Sequence, residues 1–286
     1  MDGTAPFVIV VNPNENMPRQ PNPHVPFTPG EIADDVAACA AAGASVVHFH
    51  ARTPDGAADH AAAAYAAAIR AIRARCRVLL APALPKGPDG EPAPVPDPRP
   101  DFLVIDAGCA PMDLYDPDTQ AFASDNRVLV NGTAAVRDLL ATARRLSCIP
   151  WLASFTIGWS RTIDAHLAAS PGPAVVQLVL GGPEFLGPHP ATMAGLAAHL
   201  GFLPARATSW VVSAHRADVL TVAPEVIRRG GHVAIGVGDH PHRERGLPTN
   251  AELVAELAGL AHRLGRDVAD PADARRVLAT PAFTPS

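Results

Sequence analysis

Ser45-Val46-Val47-His48-Phe49-His50-Ala51-Arg52 is the stretch on which the fold turns. Apolar residues run straight into two histidines one residue apart. On a β-strand, side chains alternate between faces, so residues two apart share a face. His48 and His50 therefore point the same way, where a buried strand gives out into a loop. Two imidazoles on one face at the carboxyl end of such a strand form half of a divalent-metal site. The bland alternative is one histidine closing a strand and one solvated.

Working outward, the flanks alternate regularly. Upstream, Phe7-Val8-Ile9-Val10-Val11 is a continuous apolar run, as in a strand covered on both faces. A Pro/Asn-rich loop follows, and then Thr28-Pro29-Gly30-Glu31 opens a helix. Thr28 accepts from the third helical amide, Glu31 reaches back to the cap, and Pro29 suits the first helical position. Gly43 supplies the left-handed cap that ends it.

Downstream, helical spacing over Ala57–Arg75 precedes a strand at Arg77–Ala81, and further strands are expected at Asp101–Asp106, Pro150–Phe155, Ala174–Leu180, Ser209–Ala214 and His232–Val237. Helices are expected over Ala134–Leu146, Thr162–Ala169, Pro190–Leu200, Val219–Arg229 and Asn250–Leu264. That is eight β-α units in 286 residues, which predicts an α/β fold of the closed (β/α)8 TIM-barrel type, one domain over residues 1–286. An open doubly wound sheet would want a glycine-rich loop after the first strand, and Asn12-Pro13-Asn14 is not one.

Composition narrows the function classes. Hydrophobic residues make up 48% and charged residues 18%, with a net charge of -5, so there is no basic footprint for nucleic acid or an anionic membrane. No apolar run is long enough to span a bilayer, and Cys39, Cys76, Cys109 and Cys148 lack metal or disulfide spacing. These features predict a compact globular enzyme, reduced and cytoplasmic. Lys86, in a Pro/Gly-rich loop, is the single lysine, so only it could form a Schiff base.

In a TIM barrel the chemistry sits at the carboxyl ends of the strands. Those ends carry Asn12, Asn14 and Glu15; His48, His50 and Arg52; Asp106; Ser154 and Thr156; His215 and Arg216; and Asp239, His240 and His242. Strands one, two and eight are neighbours in a closed barrel, so Asp239, His240 or His242 is positioned to complete the site begun by His48 and His50. The expected substrate-binding residues are Arg52, Asn12 and His215.

Several of these segments resemble the beta-keto acid cleavage enzyme family. They are Pro26–Glu31, Ala42–Arg52 with Asp55-Gly56, Gln177–Gly181, Gly230–Val233 with Gly236, and Leu264–Ala269 with Pro271 and Ala274-Arg275. The resemblance covers nearly the whole chain in order. It implies a barrel with a divalent metal, usually zinc, and a retro-Claisen exchange between a β-keto acid and acetyl-CoA. It also implies a homo-oligomer, a dimer or tetramer. His48 and His50 carry over as metal ligands, Asp239 as the general base, and Glu15 as the family's first-strand glutamate within one residue.

The resemblance also exposes departures. The family's third ligand, a glutamate on strand eight, falls on Gly238, and an arginine there falls on Ala234. The family's donors after strand three are replaced around Pro82–Pro85, and a glutamate pair on strand five near Trp151. Period-two geometry makes His240 the expected third ligand. The sequence thus describes a divergent metal-dependent carbon–carbon lyase or acyl transferase. Two alternatives stand beside it: a metal-dependent hydrolase on the same barrel, and a catalytically degraded relative serving as a binding or assembly protein.

Overall fold

The computed structural model describes residues 5–83 and 95–279. Lys86 and the Leu84-Pro85 part of the third-strand loop lie outside the described residues.

The parallel strands are β1 (Ile9–Val11), β2 (Val46–Val47), β3 (Leu79–Leu80), β4 (Phe102–Asp106), β5 (Ile149–Ser154), β6 (Val175–Gly181), β7 (Ser209–His215) and β8 (His232–Ile235). The helices are α1 (Pro29–Ala42), α2 (Ala62–Arg75), α3 (Thr133–Arg145), α4 (Ile157–Ala169), α5 (Met193–Leu200), α6 (Ala223–Arg228), α7 (Asn250–Arg263) and α8 (Pro271–Ala279). Strand order is β3-β2-β1-β8-β7-β6-β5-β4, and every neighbouring pair is parallel. This is the eight-stranded TIM-type barrel that the alternation predicts, nearly closed.

The seam lies between β3 and β4, and one residue bridges it. Asp101 donates its backbone N–H to Leu80 O at 3.0 Å. Its carboxylate accepts the Leu80 N–H at 2.9 Å. Arg275 of α8 pairs with the other carboxylate oxygen.

Local signals explain the elements. Thr28 and Glu31 form the expected capping box, and Gly43 ends α1 at φ 119°. Thr249 and Glu252 form a second box at α7. Two expectations change. The segment expected as one helix over Val219–Arg229 is a 3-10 turn at Val219–Thr221 followed by the short α6. Between β4 and α3 the strict alternation is broken by two small antiparallel pairs, Ala110–Pro111 with Val128–Leu129 and Tyr115–Asp116 with Ala121–Phe122.

Two apolar layers result. Alternate residues of the strands fill the barrel, among them Val8, Val10, Val46, Phe102, Trp151, Val175 and Val211, with Ala274 and Leu278 of α8 beneath them. The opposite strand faces pack on the helices through Ile9, Val47, Ile105 and Leu152. At the amino-terminal end the buried Arg266 donates to the carbonyls of Ala5, Ile227, Gly230 and Gly231. His232 there accepts the Val8 N–H on Nδ1 at 3.0 Å. Burial and the nearby Arg266 cation hold its pKa well below the usual histidine value. The C-terminal signature around Arg266 is therefore a device of stability, while the carboxyl ends above the apolar plug are free to carry polar groups.

Candidate active site

Above the plug the barrel opens into a cavity of about 190 Å³ lined by Glu15, His48, His50, Asp106, Gln177, Ser213, His215 and Asp239, with Met112, Phe155 and Phe185 among its apolar walls. The β2 ladder continues past its last strand residue, since His48 N–H donates to Val11 O and Ala83 N–H to Phe49 O. His48 and His50 therefore keep the strand's alternation and share a face. Their rings meet edge-on, centroids 5.6 Å apart.

Glu15 lies between them. One carboxylate oxygen is 2.9 Å from His48 Nε2 and the other 2.7 Å from His50 Nε2. Three donors from the segments that follow β1 and β2 thus face one point. The other side of His48 is fixed: Nδ1 lies 2.7 Å from Ala81 O. A carbonyl only accepts, so Nδ1 carries the proton and Nε2 is the atom turned inward, the arrangement typical of histidine ligands. Burial alone would raise Glu15 and lower His48. The attraction between Glu15 and the two histidines outweighs it, holding Glu15 well below the carboxylate range and raising His48 to about 9.

The loop after β1 is built to deliver Glu15. Asn14 accepts the His50 N–H at 3.0 Å and donates back to His50 O at 2.9 Å, clamping the loop to the end of β2. Glu15 itself has φ 37°, a left-handed conformation uncommon outside glycine. Arg52 holds it there, donating Nη1 to Glu15 O at 2.6 Å and Nη2 to Met17 O at 3.2 Å. Its Nε donates to Gly56 O at 2.9 Å. The guanidinium is thereby spent on backbone carbonyls and does not line the cavity. Its place is under the Glu15 loop, where it supports the backbone that presents Glu15.

Gly238 explains why the third donor comes from the loop after β1. A Cβ at that position would lie 2.6 Å from Asn14 N and 2.7 Å from Asn12 O. The post-β1 loop occupies the space a strand-eight glutamate would need. His240 does not fill the gap either. The chain turns after β8, with Asp239 N–H and His240 N–H both directed at Gly236 O, so strand alternation no longer applies. His240 faces Glu244 at 3.2 Å, away from the His48–His50 face. The three-histidine set expected from sequence is not assembled; Glu15, His48 and His50 form the compact donor group there.

Asp239 does reach the cavity. Asn12, fully buried, donates to Asp239 Oδ2 at 2.8 Å, and His215 Nδ1 lies 3.7 Å from Oδ1. Burial raises the Asp239 pKa, partly offset by the His215 contact, and the Glu15 charge raises it further. Asn12 thus positions the aspartate, while His215 shares the cavity with it.

A polar relay that sequence reading missed crosses the floor. Trp151 Nε1 donates to Gln177 Oε1 at 2.7 Å, and Gln177 Nε2 donates to Ser213 Oγ at 2.7 Å. Indole N–H only donates, which fixes the amide orientation. Ser213 accepts from Gln177, so its own hydroxyl proton is available to the cavity. A glutamine inside the apolar run Ala174–Leu180 was the sequence signal. Ser154, by contrast, faces Ser160 and Thr156 O outside the barrel.

The profile of the beta-keto acid cleavage enzyme family matches residues 6–279. The chain belongs to that family. It is 26% identical over 270 residues to the 3-keto-5-aminohexanoate cleavage enzyme of Acetoanaerobium sticklandii, covering 91% of this chain and 93% of the relative. Against the 3-oxoadipate:acetyl-CoA acetyltransferase of Cupriavidus necator it is 27% identical over 290 residues, 98% and 97% of the two chains. Among solved structures, the ObcA complex with oxaloacetate superposes with a TM-score of 0.65 at 13% identity, covering 91% of this chain and 68% of that one, a likeness of fold. The amino-terminal Pro26–Arg52 and C-terminal Arg266 segments lie within the matched span.

Proposed function

We propose that this chain is a metal-dependent acyl transferase that exchanges a small β-keto acid with acetyl-CoA by retro-Claisen chemistry. The observation that carries it is the convergence of Glu15, His48 and His50 on one point, with Asp239 across the same cavity. The donor set suits a divalent ion of the zinc class: two imidazole nitrogens and a carboxylate, with an anion already buried there. Such an ion, held by Glu15, His48 and His50, would supply Lewis-acid stabilisation of negative charge on a substrate carbonyl oxygen.

The chain's own groups supply the proton chemistry. Asp239, with its raised pKa, takes the proton from the carbon between the keto and carboxyl groups. Asn12 holds one of its oxygens, leaving the other facing His215 and the cavity. Ser213, oriented by Gln177 and Trp151, donates a hydrogen bond to developing oxyanion charge. Among the described residues the cavity wall carries no lysine or arginine, and Ala234 lies in the apolar barrel layer. The substrate's carboxylate is therefore held without the family's strand-eight cation, and a substrate unlike those of the named relatives follows. Acetyl-CoA is the co-substrate, and the protein is cytoplasmic and homo-oligomeric in this proposal.

The test is incubation of the zinc-loaded protein with acetyl-CoA and a panel of β-keto acids, reading acetoacetate and the new acyl-CoA by mass spectrometry. Product formation that His48→Ala abolishes supports the proposal. Failure across the panel, with no exchange of α-protons for deuterium, overturns it.

A further inference from the structure

A second His-x-His pair lies in the turn that leaves β8. We propose that His240, His242 and Glu244 form a second divalent-cation site, distinct from the barrel mouth, with Asp218 as the fourth donor. The ligand atoms of His240, His242 and Glu244 lie within 4.8 Å of one another. His240 Nε2 is 3.2 Å from Glu244 Oε1, and His242 Nδ1 is 3.7 Å from the same oxygen and 3.9 Å from Asp218 Oδ1. Metal–ligand bonds of about 2.0–2.1 Å in a tetrahedron place neighbouring donors roughly 3.4 Å apart. The observed spacings straddle that value. They are too long for hydrogen bonds at His242 and right for the edges of a coordination shell.

The independent sign is His242. It is 1% exposed, yet its Nδ1 has no hydrogen-bond partner. An orphaned buried nitrogen is destabilising unless something satisfies it. Nδ1 faces two carboxylates, which a neutral imidazole acceptor would avoid and a shared cation would reconcile. The charges agree. Arg245 takes the other Asp218 oxygen at 2.8 Å and Glu256 at 2.8 Å. Arg245 thus pairs with two carboxylates, Asp218 and Glu256, while Glu244 faces His240 and His242, so the cluster carries excess negative charge that suits a divalent ion.

Two imidazoles with carboxylates suit zinc, cobalt or nickel over magnesium or calcium. Such an ion would tie the turn after Asp239 to the loop after His215. Those segments already touch through Arg216 N–H on Asp239 O at 2.8 Å. The site would thus be structural, fixing the backbone that presents Asp239 and His215.

The test is zinc binding to the full-length, tag-free protein after chelator stripping, by titration calorimetry and metal analysis. Two ions per chain are expected for the wild type, one for His242→Ala and one for Glu244→Gln. The His48→Ala/His50→Ala double variant keeps one ion, which separates this site from the barrel-mouth proposal. A folded double variant that binds none overturns the inference. Zinc-edge anomalous diffraction from wild-type crystals covers the case in which variants misfold: a peak between His240 Nε2 and His242 Nδ1 supports it, and its absence overturns it.

Discussion

The molecule contains the motif His-x-His with a nearby glutamate twice, and the two copies are built by different means. At the barrel mouth, His48 and His50 share a face because the strand ladder continues beneath them, and their carboxylate arrives from another strand. In the turn after β8, the histidines are brought together by a loop in which His242 is left-handed at φ 53°, and Glu244 is four residues from His240. The first copy is made by the fold and exists only when the barrel exists. The second is largely local. Contacts in the first are at hydrogen-bond length, 2.7–2.9 Å, while those in the second are longer. A ligand triad is therefore recognised by what holds its backbone, and the sequence motif alone does not distinguish the two.

The contrast can be broken most severely at the mouth. His50→Ala is expected to lower the acyl-exchange rate by about a thousandfold, the several kcal/mol that Lewis-acid stabilisation contributes. Steady-state kinetics at saturating zinc check it. Next is Gly238→Glu, which places a glutamate at the strand-eight position where the family resemblance expects one. The overlap with Asn12 and Asn14 is expected to cost about 3 kcal/mol and lower Tm by roughly 6–12 °C. Scanning calorimetry measures it; an unchanged Tm would show that the loop yields easily.

Arg52→Met leaves buried carbonyls without a donor and frees the Glu15 loop. A loss of about 2–3 kcal/mol in denaturant unfolding is expected, with a fall in kcat. Unchanged kcat would make Arg52 a matter of stability alone.

The smallest effect lies behind the mouth. Asp35 of α1 accepts from Asn250 Nδ2 at 2.9 Å, and Asn250 Oδ1 accepts the Val237 N–H at 2.8 Å. Burial raises Asp35 to about 7, the Asn250 hydrogen bond offsetting only part. A raised folded pKa means that its contribution is fully present below about pH 4 and is lost as pH rises through 7. Asp35→Asn is therefore expected to stabilise by about 1–2 kcal/mol at pH 8 and by nothing at pH 4. Equal effects at both pH values would reject the assignment.

Much of this was legible in the chain. The barrel follows from alternating apolar runs and capped helices, and His48 with His50 follows from period two on a strand. Asp239 and Glu15 were named from strand ends and reach the cavity. Other residues failed for identifiable reasons. His240 was projected along a strand that had already turned at Gly236. Arg52 sits at a strand end, but its long side chain turns back to the carbonyls of Glu15, Met17 and Gly56. Asn12 proved a support for Asp239, a distinction that depends on a distance no sequence contains. Gln177 was passed over because its run reads as buried strand, and only the Trp151–Gln177–Ser213 contacts give the amide a direction.

The order of the strands also sets an order of synthesis. β1 is held between β2 and β8, and Ile9 pairs with Val233, near the far end of the chain. Glu15, His48 and His50 all lie within the first 52 residues, whereas Asp239 emerges among the last. On the ribosome, β1, whose loop carries Glu15, must wait with one edge unpaired until β8 has been made. The growing chain thus holds Glu15, His48 and His50 long before it owns Asp239, and the proposed site is whole only once β8 has docked on β1.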